Sequence, residues 1–443
     1  MDLNNQSLSL ITKIIELGPQ TRTIVSAGSR NVVQVLRDFF PSSEIFKFES
    51  GKHHSGWVIP QDWRLLSAFL IDLESGNTLL DHEVSPLFVA PYSQACDIEL
   101  TGKELLTICL SDPERPDDFK YQHRLAYDPS RTLNEVSISL PWNFIAKNIK
   151  KENNYRLIVN VSHTPHAMEI FSHTIQGKSE NCIFLLSHYC HTGQINDGLS
   201  GVLVMSLVMQ YLSSLDSPLN YSYKFLSFPE TIGSSVYLAE NYKEIDQSIF
   251  SVFSEMAGAE GNFRLTNSRR GQSYIDRIAE KAISENSKVY TKVNFREGWG
   301  NDEMVFDSPL VGIPSISIDR FPFPQYHTSS DNLDNFSIQQ AHSLAKVIVR
   351  LIDIAEKDFL PIANFQVVPQ LSALNLYEDW TTNRDGYNRV ATLLDAMDGQ
   401  LSVFDIAIKN SLNFEQVLEF YIELEKQSLI KRRPIDPEYT RRI

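Results

Sequence analysis

The sequence predicts an α/β fold, with helices packed on a mixed or parallel sheet, a small all-β insert and a helical C-terminal piece. Three observations predict it. Continuous apolar runs such as Cys182-Ile183-Phe184-Leu185-Leu186 read as strands covered on both faces. Helical stripes alternate with these runs, the clearest being Val204, Leu207, Val208, Tyr211 and Leu212. At 443 residues the chain is too long for one compact core, so two or three domains are expected.

Taken in order, residues 1 to about 45 are expected to be helical. Leu10, Ile11, Ile14, Ile15 and Leu17 recur at helical spacing, as do Val32, Val33, Leu36, Phe39 and Phe40 ahead of Pro41. Between about 50 and 150 the texture becomes short β-like runs: Trp57 to Pro60, Ser67 to Ile71, Pro86 to Val89 and Val136 to Leu140. Turn signals at Gly76-Asn77, Pro91, Asp112 to Pro116 and Asp128-Pro129 separate them. Trp57, Trp63 and Trp142 are read as core there, with carbohydrate stacking the alternative. Further strands are expected from Tyr221 to Phe228, Ile249 to Phe253 and Gly312 to Ile318, and a helix capped by Ser337. Pro361 and Pro369 are read as a linker. Beyond it, three short helices with a turn at Asp398-Gly399 resemble a winged helix-turn-helix. The expected boundaries are therefore 1–48 with 150–360 for the α/β domain, 49–149 for the insert and 361–443 for the last module.

The net charge of -15 argues against partners held by bulk positive charge, nucleic acid and anionic membrane surfaces among them. Cys96, Cys109, Cys182 and Cys190 form no CxxC pair and no small-domain framework, which suggests reduced thiols. The N-terminus lacks a signal-peptide pattern, and no apolar run approaches 18 residues, so a cytoplasmic protein is expected.

Chemistry gathers in four segments over roughly 140 residues. They are His188-Tyr189-Cys190-His191 with Asn196-Asp197-Gly198, then Pro229-Glu230-Thr231-Ile232-Gly233-Ser234, then Ser254-Glu255-Met256, then Tyr326-His327-Thr328. Each follows or lies close to an expected strand, where open α/β sheets place ligands. Imidazoles with carboxylates form the ligand set of a hydrolytic zinc site. Each residue taken singly also has an ordinary structural explanation: Asp197 as an N-cap, Glu230 at a helix N-terminus, Glu255 at a strand end, His327 in a turn. The coincidence of all four favours a metal site.

The order of these segments resembles the co-catalytic zinc aminopeptidases of the M28 clan. The nearer resemblance is to an aminopeptidase-like bacterial group with the DUF4910 domain. It is carried by Cys190-His191-Thr192, Asn196-Asp197, Pro229 to Ser234, Gly300-Asn301-Asp302-Glu303 and Tyr326 to Ser329. The resemblance implies a three-layer α/β/α zinc-peptidase-like sandwich, a DUF2172-like β insert and a C-terminal winged helix. It implies His191, Asp197, Glu255 and His327 as ligands to one or two zinc ions, with Asp197 bridging if there are two. Glu230 is implied as general base to a metal-activated water. His188, Asp302, Tyr326 and Arg269 are expected around these, with His188 as outer support and Asp302 placed to orient a ligand histidine. Arg269, Arg270 and Arg320 could bind an anion on the substrate, but surface or structural ion pairs are the favoured reading for them. One departure stands out: Thr231 follows Glu230 where the clan has a second acid, so Glu230 is either the base or a ligand.

The implied activity is hydrolysis of an amide bond in a small peptide or peptide-like substrate. The alternatives are a metal-dependent deacylase or amidohydrolase on a modified sugar or polysaccharide precursor, and a ligand-sensing regulator that uses the C-terminal module. That module is rich in Asp and Glu before its basic tail, which favours protein contact over DNA. Either it or the insert could mediate homo-oligomers.

Overall fold

The computed structural model describes residues 3–122, 135–297, 300–374 and 376–442. Its centre is an eight-stranded mixed sheet. Across it run Glu44–Glu49, Ala167–Ile175, Ser222–Phe228, Cys182–His188, Ser248–Ser254, Ser315–Asp319, Phe263–Thr266 and Tyr290–Val293. The four middle strands, Ser222–Phe228 through Ser315–Asp319, are mutually parallel, so their carboxyl ends share one edge.

The continuous apolar runs are explained by burial on both faces. Every residue of Cys182–His188 and of Ser248–Ser254 is buried. Ile183 and Leu185 point into one core, with the helices Asn5–Ile15, Ala27–Phe39, Leu199–Ser213, Tyr274–Asn286 and Ile338–Lys357. Phe184 and Leu186 point into the other, with the helix Ile232–Glu240, Phe306 and the inserted segment. The result is three layers.

The insert carries a four-stranded antiparallel sheet in the order Thr78–Asp81, Asp62–Asp72, Asn154–Thr164 and Cys96–Thr101. This sheet passes the expected boundary at 149. Tyr155, Leu157 and Val159 alternate inward, and that pattern, rather than a turn, sets where the segment ends. Pro86 to Val89 is not a strand; Leu87 and Phe88 are buried from a turn. Trp63 is a core residue whose Nε1 donates to the Ser93 carbonyl at 3.0 Å, whereas Trp142 is exposed. The expected Asp128-Pro129 turn lies outside the described residues.

Pro361 is not linker. It sits in the strand Phe359–Ala363, paired antiparallel with Ile430–Pro434. A two-stranded ribbon leaves one side of each strand open, so the missing N–H costs no ladder bond. The helices Arg384–Asp395, Val403–Lys409 and Phe414–Lys426 share the large core with the sheet through Leu393, Phe404, Ile406, Val417 and Tyr421. Arg432 pairs with Glu425, and Arg441 donates to the carbonyls of Ile245 and Ser248, so part of the basic tail serves internal contacts. Among the described residues no helix is long and apolar enough to cross a membrane.

Asp358 joins the two parts. Its Oδ1 accepts from the backbone N–H groups of Phe359 and Phe404, both at 3.0 Å, and its Oδ2 from the Tyr274 hydroxyl at 3.0 Å. Burial pushes its carboxyl up to about 7, against the hydrogen bonds from Ser402 and Phe404. The native state therefore binds a proton more tightly than the unfolded chain. The stability this brings is full below about pH 4 and is lost as pH rises through 7. Asp358→Asn keeps the acceptor without the charge. Wild type is expected to lose stability relative to this variant between pH 4 and pH 8, read from urea midpoints; a pH-independent difference counts against it.

Candidate metal centre

Three neighbouring parallel strands deliver three of the site residues to one edge. His188 is the last residue of Cys182–His188, Glu255 directly follows Ser248–Ser254, and Glu230 lies two residues past Ser222–Phe228. Asp197 comes from the loop before the helix Leu199–Ser213. That helix packs very close to the sheet at Gly201, where a Cβ would lie 1.9 Å from the Ser254 carbonyl oxygen. Gly201 thus brings Asp197 against Glu255. His327 arrives on the loop after Ser315–Asp319.

The side chains converge. His188 Nε2 is 2.7 Å from Glu255 Oε2 and 3.5 Å from Asp197 Oδ1. On the other side of the Asp197 carboxylate, Oδ2 is 2.9 Å from His327 Nε2 and 3.8 Å from His191 Nε2. His191 Nε2 is also 3.5 Å from Glu230 Oε2. His188, His191, Asp197 and Glu255 are each at most 3% exposed. Two triads with ligand-like spacing share Asp197: His188–Asp197–Glu255 and His191–Asp197–His327.

The electrostatics follow from burial against these partners. For Asp197 burial works upward, but the charges of His191, His327 and His188 hold its carboxyl well below the usual range. Burial pushes Glu255 up to about 7 despite its bond to His188. Glu230 is pushed up to about 8 by burial, opposed by His188 and reinforced by Asp302, Glu255 and Asp197. His188 is raised well above an ordinary imidazole, because Cys190, Glu255 and Asp197 outweigh its own burial.

Backbone strain collects here. Thr231, Met256 and His327 have φ of 60°, 49° and 54°. They are the neighbour of Glu230, the neighbour of Glu255 and a site residue itself. A β-branched residue such as Thr231 rarely enters this region, at a cost on the order of 1–3 kcal/mol. Asp302 offsets it by accepting the Thr231 N–H at 2.8 Å and the Ser234 hydroxyl. Asp302 was expected to orient a histidine; it fixes the Glu230 turn instead, because the helix opened by Asn301 abuts that turn. Tyr326 stacks on the His327 ring at 3.9 Å. Asn301 Nδ2 donates to Glu255 Oε2 at 3.0 Å.

Arg269 and Arg320 take structural roles, the reading favoured for them over substrate anchoring. Arg269 is held by Asp307, which also accepts from the N–H of Ser315. Ser315 opens a five-residue strand whose other end faces the site. Arg320 donates to the carbonyls of Ala257 and Gly261 and to the Ser343 hydroxyl, and lies over the Phe263 ring.

Four further residues shape the site. Arg22, fully buried, donates to the carbonyls of Tyr189, His191 and Gln194 and to those of Leu17 and Gly18, clamping the His191 loop to the N-terminal segment. Asp331 accepts from the N–H groups of Asn196 and Asp197 at 2.8 and 2.9 Å. Tyr121, from the insert, donates its N–H to the His327 carbonyl at 2.9 Å, and its ring lies 4.9 Å from His191 and 5.1 Å from His327. Cys190 accepts the Glu230 N–H at 3.2 Å. Asp331 and Cys190 adjoin motif residues and could have been flagged from the sequence; Arg22 and Tyr121 carry no local signal.

Residues 11–358 match the family described as Domain of unknown function (DUF4910). The chain belongs to that family. A relative from Clostridium acetobutylicum, described as a candidate polysaccharide biosynthesis protein with an aminopeptidase-like domain, is 28% identical over 425 residues, 94% of this chain and 95% of its own. The crystal structure of a candidate peptidase from the same organism superposes with a TM-score of 0.81 at 26% identity, covering 97% of this chain and 98% of that one. A zinc aminopeptidase from Bacillus subtilis superposes at 0.56 with 14% identity, covering 78% and 93%. The M28 peptidase precursor of Shewanella amazonensis gives 0.57 with 14% identity, covering 83% and 95%. This DUF4910 chain therefore has the fold of the M28 zinc aminopeptidases.

Arg22→Lys is expected to destabilise this DUF4910 protein by about 2–5 kcal/mol, since an ammonium cannot serve carbonyls in several directions from a buried position. Chemical denaturation checks it; a loss below about 1 kcal/mol speaks against the clamp.

Proposed function

We propose that this chain is a zinc-dependent hydrolase of amide bonds, with an aminopeptidase-like reaction on small peptides or peptide-like conjugates. The observation that carries the reading is the pair of triads sharing Asp197. Three imidazoles and two carboxylates, buried together, fit a zinc centre by donor chemistry. In this reading His188, Asp197 and Glu255 would hold one ion, and His191, Asp197 and His327 the other. His188 is thus a ligand rather than outer support, and His191 supplies the donor that Thr231 lacks. Zinc held there supplies Lewis acidity toward a carbonyl and toward water.

The chain's own residues supply the rest. Glu230 lies outside both triads that share Asp197, although it also falls within ligand distance of His188, Cys190 and His191, and its carboxylate would take a proton from the attacking water and return it to the leaving amine. Its Oε2 lies 3.5 Å from His191 Nε2, so the carboxylate faces the site. Asp302, through Thr231, keeps it aimed. Tyr121 forms one wall against the two histidines.

A second reading, removal of an acyl group from an amino sugar, is supported by the name of the clostridial relative, which links it to polysaccharide biosynthesis. The same donor set and proton carrier would serve it. Zinc-loaded protein is to be assayed on aminoacyl p-nitroanilides and on N-acetyl amino sugars. Release of p-nitroaniline supports the first reading and release of acetate the second. In either case Glu230→Gln is expected to lower kcat by about 10²–10⁴-fold with zinc content unchanged. Full activity in that variant removes Glu230 from the mechanism.

A further inference from the structure

The two triads that share Asp197 are built differently. His188 ends one central strand and Glu255 directly follows another, so the sheet's own ladders fix the backbone at both. The His188 ring also stacks on Phe253, a core residue of the neighbouring strand, with 5.7 Å between centroids. His191 and His327 lie on loops outside every strand. A ligand on a free loop must be ordered when an ion binds, and that ordering weakens binding. The second triad therefore needs a support that the sheet does not provide.

The inserted segment provides it. Residues 118–121 run antiparallel to residues 327–330 and meet them in a bridge between Lys120 and Thr328. The Tyr121 N–H donates to the His327 carbonyl at 2.9 Å, and the Ser329 N–H donates to the Phe119 carbonyl at 2.8 Å. The Phe119 N–H donates to the Ser329 hydroxyl at 3.1 Å, and the Ser330 hydroxyl donates to Asp118 Oδ1. This strap is fastened in turn to its own segment, where the Lys120 N–H donates to the Ser139 hydroxyl at 2.6 Å. It holds the His327 loop while that residue keeps its left-handed backbone. Gln194 Nε2, donating to the Thr328 carbonyl at 3.0 Å, ties the His191 loop to the same place.

The strap also carries a ring into the site. Tyr121 lies against His191 at an interplanar angle of 44° and meets His327 nearly edge-on at 70°. Both are favourable aromatic arrangements at these separations. One side chain thus bears on both imidazoles of the loop-borne triad. With Tyr326 stacked on His327 as well, that imidazole is held by two rings.

We propose that the insert builds half of the metal centre. Tyr121 is a positioning residue that sets His191 and His327 around Asp197 in advance of ion binding, whereas the triad of His188, Asp197 and Glu255 does not depend on it. This rests on the two triads being ion sites, and the test separates the two ideas.

The full chain is stripped of metal and titrated calorimetrically with Co²⁺ as probe, and crystals of zinc-loaded protein give an anomalous map. Wild type is expected to bind two ions. Tyr121→Ala is expected to weaken one of them by about 10–100-fold and to leave the other within twofold. In its map the peak beside His188 and Glu255 stays and the one beside His191 and His327 fades. Tyr121→Phe keeps the ring and is expected to restore both affinities, which a general loss of structure would not predict. If the alanine variant does not fold, Tyr121→Leu fills the space without a ring and is expected to show the same selective loss. Two ions bound with wild-type affinity in the ringless variant, or equal weakening of both, overturns the proposal and leaves the two-ion reading standing. Failure of Tyr121→Phe to restore binding also overturns it. Fewer than two ions in wild type overturns the two-ion reading and this proposal together.

Discussion

A carboxylate almost without access to water, Asp197, faces three imidazoles, and much of the chain is arranged to keep it ionised there. Burial alone would drive a proton onto it; His188, His191 and His327 reverse that. Such a balance holds only if the groups stay within a few ångströms of one another. Asp331 fixes the Asp197 backbone, Arg22 fixes the carbonyls of the His191 loop, and Gly201 lets the following helix come close enough to place the loop at all. Each is distant in sequence from at least one group it serves.

The sheet makes this possible. Parallel strands align their carboxyl ends, so His188, Glu230 and Glu255 meet without long excursions. The cost appears as strain at Thr231, Met256 and His327, which a rigid and doubly covered sheet can hold. The insert and the C-terminal helices complete the fold from outside: one lends Tyr121 to the site wall, the other shares the core through Phe404 and the Asp358 junction.

Much of this was legible in the sequence. Continuous apolar runs marked the central strands, and the four motif segments named the residues that converge. What stayed hidden depends on direction and distance in space. The spacing of His188 and His191 could not say which ring faces which carboxylate; the structure brings both to Asp197, from opposite sides. Arg269 was the exception the other way: a structural role was favoured over anion anchoring, and its hydrogen bonds to Asp307 give it that role. Arg22 and Tyr121 had no motif around them, and their roles at the site come from contacts with residues 70 or more positions away. The insert boundary was missed because a strand's end is set by its partner's pairing rather than by a turn signal.

The central claim is that Asp197 stands between two metal-binding triads. The most direct measurement is anomalous scattering at the zinc edge from crystals of the zinc-loaded protein, paired with elemental analysis of the same sample. The account predicts two peaks flanking Asp197, one bounded by His188 and Glu255 and the other by His191 and His327, with about two zinc ions per chain. No bound zinc, or zinc located away from Asp197, would contradict it.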